Sequence, residues 1–150
     1  MATWAPHVTV ATVVERDGRY LLVEERDKTS GELVFNQPAG HLEAGESISA
    51  AALRETLEET GWEVELLGLL GIALYRARGN GVTYLRNTFL AAPVRPLTNA
   101  VLDPDIHAIH WLDYEAILGN SARMRSPLVI AAIEQHRRGV CYPLEFIYSQ

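Results

Sequence analysis

A single cysteine, Cys141, in a chain of 150 residues excludes an intramolecular disulfide and any cysteine-cluster metal site. Long apolar runs are missing as well: nothing approaches the roughly 20 consecutive apolar residues that a membrane helix needs. The opening Met1-Ala2-Thr3-Trp4-Ala5-Pro6 has no basic region before an apolar stretch, as a secretory leader would. The expected location is the cytoplasm, with no membrane partner. Basic residues are few, 13 Lys and Arg against 19 Asp and Glu, for a net charge of -6. Without a basic surplus a nucleic-acid duplex is not an expected partner, because phosphate neutralisation supplies most non-specific affinity there. A small anionic substrate then needs a local reversal of sign, and a bound divalent cation is the obvious candidate. No obligate protein partner is evident.

What is present is ordinary for a globule: 48% hydrophobic and 21% charged residues argue against disorder. The length fits one domain over residues 1–150. His7 to Glu15 is rich in β-branched residues and reads as a buried strand. Asp17-Gly18 turns it into a second strand, Tyr20 to Glu25, and Leu33 to Gln37 is a short extended piece stopped by Pro38. The pattern is helical from Ala44 to Thr60, with Gly61 placed for a left-handed cap. Glu63 to Tyr75 and Val82 to Val94 read as strands around Gly79-Asn80-Gly81, followed by a strand over Ile106 to Leu112. Tyr114 to Leu118 and Ser126 to Arg138 look helical, and the tail from Tyr142 to Tyr148 is apolar and extended. Hairpins mixed with helices predict an α+β or mixed α/β layered domain.

The informative stretch is Gly40 to Trp62, which holds Glu43, Glu46, Glu55, Glu58 and Glu59 against Arg54 and His41. At about 100° per residue, Glu55, Glu58 and Glu59 share one helix face. Like charges at these spacings repel, and they occupy the last turn, where the helix dipole disfavours anions. The same face carries Ile48, Ala51 and Ala52, and the opposite side Ala50, Leu53 and Leu57, so the helix is expected between two layers with its acidic end at a cleft. A hard divalent cation with oxygen ligands would relieve the repulsion. Mg²⁺ commonly binds through a few carboxylates plus substrate phosphates. A solvated acidic face is the competing reading.

Gly40, five residues, Glu46, seven residues, then Arg54-Glu55-Thr56-Leu57-Glu58-Glu59-Thr60-Gly61-Trp62 resembles the Nudix box. Every charged and glycine position of G-x5-E-x7-R-E-U-x-E-E-x-G-U is met. Thr56 and Trp62 depart from it where aliphatic residues are usual. His7 to Ala11, Asn36 to Glu43, Arg125 to Val129 and Tyr142 to Glu145 are similar to the phosphatase subgroup NudJ, in the same order along most of the chain. The resemblance implies an α/β/α sandwich with a mixed β-sheet and a loop-helix-loop catalytic box. It implies a Mg²⁺-dependent, sometimes Mn²⁺-dependent, hydrolase of diphosphate linkages. Carried over by position, Glu55, Glu58 and Glu59 would bind metal, Glu55 would also orient or deprotonate water, Arg54 would tether the glutamates, and the Ala39 carbonyl would complete the shell.

The subgroup implies release of orthophosphate from nucleoside di- and triphosphates, hydroxymethylpyrimidine diphosphate and thiamin diphosphate. Hydrolysis of ADP-ribose is an alternative, weighed against by the absence of proline from Leu66 to Ala92. A nucleotide-sensing module without catalysis is another, weighed against by the full set of box glutamates. The cationic groups expected to bind substrate are His41 and Arg86, with Arg125. Each has a competing reading, as a loop histidine, a solvated strand residue and a cap or surface ion pair. Asp105 is a candidate extra metal ligand, unless Asp103-Pro104-Asp105 only builds a turn. His107 and His110 would point to opposite faces of a strand, against a joint metal site. Trp4, Tyr75, Tyr84 and Trp111 are candidates for stacking on a base, with core or hairpin packing as the competing role.

Overall fold

A computed structural model of the chain describes residues 2–149. Seven strands form one mixed sheet: β1 (His7–Arg16), β2 (Arg19–Arg26), β3 (Leu33–Asn36), β4 (Ala39–His41), β5 (Trp62–Arg76), β6 (Thr83–Pro96) and β7 (Ile106–Asp113). The path runs β3-β2-β1-β6-β5, with β4 added to β1 and β7 to β2. β1 and β6 are parallel from His7 opposite Tyr84 to Val14 opposite Ala91, and the other pairs are antiparallel. β1 meets β2 only at the hairpin, through Glu15–Tyr20 and Arg16–Arg19. Beyond that turn the strands separate into two groups, β4-β1-β6-β5 and β3-β2-β7. Three helices complete the domain: α1 (Ile48–Thr60), α2 (Tyr114–Gly119) and α3 (Pro127–Arg137).

Strand alternation sorts β1 onto two layers. Val10 packs on Ala51 and Ala52 of α1, whereas Val13 joins Leu22, Phe35, Ile117, Val129 and Ile133 on the side of α3. The expected α/β/α sandwich is therefore present. Ser47 caps α1 by accepting from the Ala50 N–H at 3.1 Å, and Gly61 closes it at φ 72° with its N–H on Leu57 O. The helix starts at Ile48 rather than at Ala44, because Gly45 takes φ 82° and the Glu46 N–H closes a turn onto Glu43 O.

One expectation is overturned. α1 buries a single face, holding Ala51, Ala52, Thr56, Glu59 and Thr60, while Leu53 and Leu57 are 40% and 38% exposed. The helix rests on β1, β4 and β5, and nothing among the described residues covers its outer side. The tail differs too. Tyr142 exchanges two 2.8 Å backbone bonds with Leu69, after which Leu144–Phe146 turn into a 3-10 helix, and Leu144 and Ile147 pack beside Phe89.

Both departures from the box pattern are packing solutions. Thr56 Oγ1 bonds Thr12 Oγ1 at 2.8 Å and donates to Ala52 O, joining α1 to β1 through a fully buried contact. Trp62 stands edge-on to Trp111 at 5.5 Å, and the Arg16 guanidinium lies over both rings. Such cation–π contacts are worth about 0.5–1 kcal/mol at exposed sites.

Candidate active site

Arg54 is the hub of the acidic face. Its Nε and Nη2 hold Glu46 at 3.0 and 2.7 Å, a bidentate pair. Nη1 reaches Glu55 at 2.8 Å and Glu58 at 3.3 Å, and Nη2 also donates to the His41 carbonyl at 3.1 Å. The i, i+4 spacing expected for Arg54 and Glu58 is thus realised, and Arg54 gathers four groups from the loop and the helix. Its hydrogen bonds draw the Glu46 carboxyl down to a pKa of about 2.

Glu59 behaves oppositely. It is 7% exposed and accepts from the Ala39 N–H of β4 at 2.8 Å. Burial pushes its pKa to about 9 against that hydrogen bond, and the charges of Glu25, Glu55 and Asp103 add to the rise. Glu55 is raised as well, first by burial, with Arg54 acting against the rise. Its carboxyl lies against Gly40, where a Cβ would overlap it. Glycine at 40 leaves room for that carboxyl between helix and strand.

These features fit a hard cation. The donor set is all oxygen, Gly40 admits the Glu55 carboxyl beside the strand, and ionised Glu59 lacks a compensating positive charge beside it. In the conformation seen, no three His, Cys, Asp or Glu side chains among the described residues stand close enough to share an ion. Arg54 Nη1 holds Oε1 of Glu55 and Oε2 of Glu58 in that conformation. Glu58, half exposed, is the carboxylate freest to swing.

A cleft of about 570 Å³ opens over Ala39, Gly40 and His41, bounded across from them by Glu25, Asn36, Tyr84, Arg86 and Arg125. Arg86 is not the solvated strand residue its setting allowed: it is 9% exposed and bonds Asn36 and Gln37. Arg125 bonds Glu25 at 3.1 Å and lines the same cleft. His41 lines it too, but not as a cation. Its Nε2 lies 3.3 Å from His7 Nδ1, and burial and then His7 hold its pKa below the ordinary 6.5.

Asp105 pairs with Lys28 at 3.3 Å. Asp103 is the acidic residue of that loop which acts on Glu55 and Glu59, and its N–H donates to the Glu58 carbonyl. His110 bonds Glu24, and His107 is exposed. Of the aromatics, Tyr75 and Tyr84 line the cleft, Trp111 packs on Trp62, and Trp4 is 70% exposed. Sequence reasoning missed Glu25, Asn36 and Gln37. Their signal was a polar pair closing an otherwise apolar strand before Pro38, together with acidic residues ending β2.

Comparison with known proteins agrees with this geometry. The NUDIX domain family model matches residues 4–131. The chain is 39% identical over 142 residues to Phosphatase NudJ of Escherichia coli (strain K12), covering 95% of this chain and 90% of that protein. A NUDIX hydrolase from Nitrosomonas europaea superposes with a TM-score of 0.94 at 42% identity, covering 97% of this chain and 98% of the other. A bifunctional NMN adenylyltransferase/ADP ribose pyrophosphatase from Francisella tularensis, complexed with AMP and Mn ion, shares the fold at TM-score 0.67 and 24% identity, covering 89% of this chain and 42% of the other. Nudix hydrolases generally use divalent metals. The chain belongs to the Nudix family and is a hydrolase acting on phosphate or diphosphate linkages.

Proposed function

We propose that the enzyme is a Mg²⁺-dependent phosphatase, also served by Mn²⁺. In this reading it releases orthophosphate from nucleoside di- and triphosphates, hydroxymethylpyrimidine diphosphate and thiamin diphosphate. The observation that carries this is the cleft itself. It opens over Ala39 and Gly40, against which Glu59 and Glu55 rest, and its far wall is cationic at Arg86 and Arg125. The 39% identity to Phosphatase NudJ supports a phosphatase, and the substrates are those the resemblance implies.

Glu55, Glu58 and Glu59, with the Ala39 carbonyl, are the residues assigned to hold the metal. When bound, the metal supplies neutralisation of phosphate charge and activation of water. The remaining roles belong to the chain. Arg54 tethers the glutamates and keeps Glu55 and Glu58 on one face. Glu55 takes the proton of the attacking water, a task favoured by a carboxyl whose proton affinity burial has raised. Arg86 and Arg125 hold the phosphate, His41 contributes a neutral hydrogen-bonding group, and Tyr75 and Tyr84 flank the organic ring. Positioning and charge stabilisation carry most phosphoryl transfer, so no further machinery is required. The partner is a small phosphorylated anion, met in the cytoplasm, with no nucleic-acid duplex, membrane or obligate protein involved.

The test is a release assay with Mg²⁺ over GTP, GDP, hydroxymethylpyrimidine diphosphate, thiamin diphosphate and ADP-ribose, quantifying orthophosphate and pyrophosphate separately. Orthophosphate from the first four is expected. Turnover of ADP-ribose alone would reassign the enzyme as an ADP-ribose or nucleotide-sugar pyrophosphatase. Tight nucleotide binding with no turnover of any substrate would make it a sensing module.

A further inference from the structure

Among the described residues, Arg54 and Arg86 are the arginines that are not exposed. Arg54 meets Glu46 and Glu55 directly, and the exposed Arg123 and Arg125 meet Glu24 and Glu25. Arg86 meets none among the described residues, although it is the deepest of them. Its Nη2 donates to Asn36 Oδ1 at 3.1 Å and Gln37 Oε1 at 2.7 Å, and its buried Nε has no partner. Both partners are neutral amides.

Each amide is fixed from behind. Asn36 Nδ2 donates to Glu25 Oε1 at 3.2 Å, and Gln37 Nε2 donates to the Val129 carbonyl at 2.8 Å. A carboxylate and a carbonyl only accept, and a guanidinium only donates, so neither amide can flip without losing both bonds. Their oxygens are locked onto Arg86. Glu25 and Glu59 are near enough to act on Arg86 through space but neither bonds it, and Glu25 Oε1 accepts instead from Asn36 and Arg125. A buried charge without a paired opposite costs stability. Burial lowers the Arg86 pKa to about 10, which still leaves it charged at neutral pH. The same side chain lines the cleft.

We propose that Asn36 and Gln37 are positioning residues that hold Arg86 as a cation without a counter-ion, so that a substrate phosphate entering the cleft supplies the missing charge. This rests on the reading of Arg86 as a phosphate-binding group. A carboxylate at 36 or 37 would form an ion pair that the phosphate has to displace. An apolar residue would leave further guanidinium N–H groups unsatisfied. An amide satisfies the Nη2 donors and leaves the charge available.

The experiment measures binding of inorganic pyrophosphate to the metal-free enzyme by calorimetry, together with steady-state GDP hydrolysis in Mg²⁺. Gln37→Glu adds the counter-charge at nearly constant shape. It is expected to weaken pyrophosphate binding at least tenfold and raise KM by a similar factor, with kcat within threefold of wild type; the new ion pair with Arg86 is set against the lost Nε2 bond to the Val129 carbonyl. Gln37→Met removes the anchor without adding charge, and should weaken binding less than Gln37→Glu while lowering the midpoint. Wild-type pyrophosphate affinity in Gln37→Glu, or an equal loss in both variants, overturns the proposal. If Gln37→Glu does not fold, Asn36→Asp places the same charge on the other anchor, with loss of the Nδ2 bond to Glu25, and its pyrophosphate affinity is read in the same way. Arg86→Met with undiminished pyrophosphate affinity would instead overturn the assignment of Arg86 to phosphate, on which the proposal rests.

Discussion

Replacing Glu59 with glutamine should stabilise the metal-free enzyme above pH 6 and abolish its stabilisation by metal. Glu59 is buried, with Glu25, Glu55 and Asp103 acting on it, and its carboxyl titrates at about 9 instead of the ordinary 4.5. A folded-state pKa above the unfolded one means that stability is full below about pH 4.5 and declines as pH rises toward 9. Each pH unit in that window is worth about 1.4 kcal/mol, so reaching pH 7 costs the fold about 3 kcal/mol. Glutamine keeps the acceptor for the Ala39 N–H and never ionises. For a chain of this length, about 3 kcal/mol corresponds to a rise of roughly 10 °C in the thermal midpoint at pH 7. The assay is a pair of thermal scans from pH 4 to 9 with chelator and again with excess Mg²⁺. Convergence of the two proteins near pH 4, divergence above it, and loss of the gap when metal stabilises only wild type are expected. A variant that is no more stable than wild type at pH 8 would refute the argument.

Three further changes probe other contacts. Gly40→Ala places a Cβ onto the Glu55 carboxyl, and should lower kcat about 100-fold while circular dichroism stays unchanged. Arg54→Lys keeps the charge but loses the fork that binds Glu46 twice and reaches Glu55 and Glu58. A fall in kcat of at least tenfold, unrelieved by high Mg²⁺, is expected by steady-state kinetics. Thr56→Val leaves Thr12 Oγ1 buried without its partner, costing about 1–3 kcal/mol in denaturant unfolding with activity per folded molecule preserved.

Local signals in the sequence located α1, its glycine cap and the face that gathers the acidic side chains. The strands with β-branched runs emerged within a residue or two at most ends. β4 escaped because three residues, one of them a glycine, carry no period of two, yet this strand supplies the N–H that holds Glu59 and the space that receives Glu55. Leu53 and Leu57 misled because apolar type does not say whether a second layer exists to cover it. The two odd box positions were legible only as departures. Their meaning lies in Thr12 and Trp111, which are distant in sequence. Asp105 and Asp103 stand in one short loop, and only the folded path shows that the first pairs with Lys28 while the second acts on Glu55 and Glu59. Arg86 could be singled out from the sequence, but its burial against two amides depends on the parallel pairing of β1 with β6 and on β3 closing over it.

The central claim is that the Glu55–Glu58–Glu59 face with a divalent metal performs the hydrolysis. Glu58 tests it cleanly, because its half-exposed side chain carries no part of the core. Orthophosphate release from GDP should be measured for wild type and Glu58→Gln across a Mg²⁺ titration, with chelator as the zero point. The account predicts no release without metal, saturable release in wild type, and a kcat at least 1,000-fold lower in a folded Glu58→Gln (about 4 kcal/mol in the barrier). Wild-type rates in Glu58→Gln, or release that persists in chelator, would contradict it.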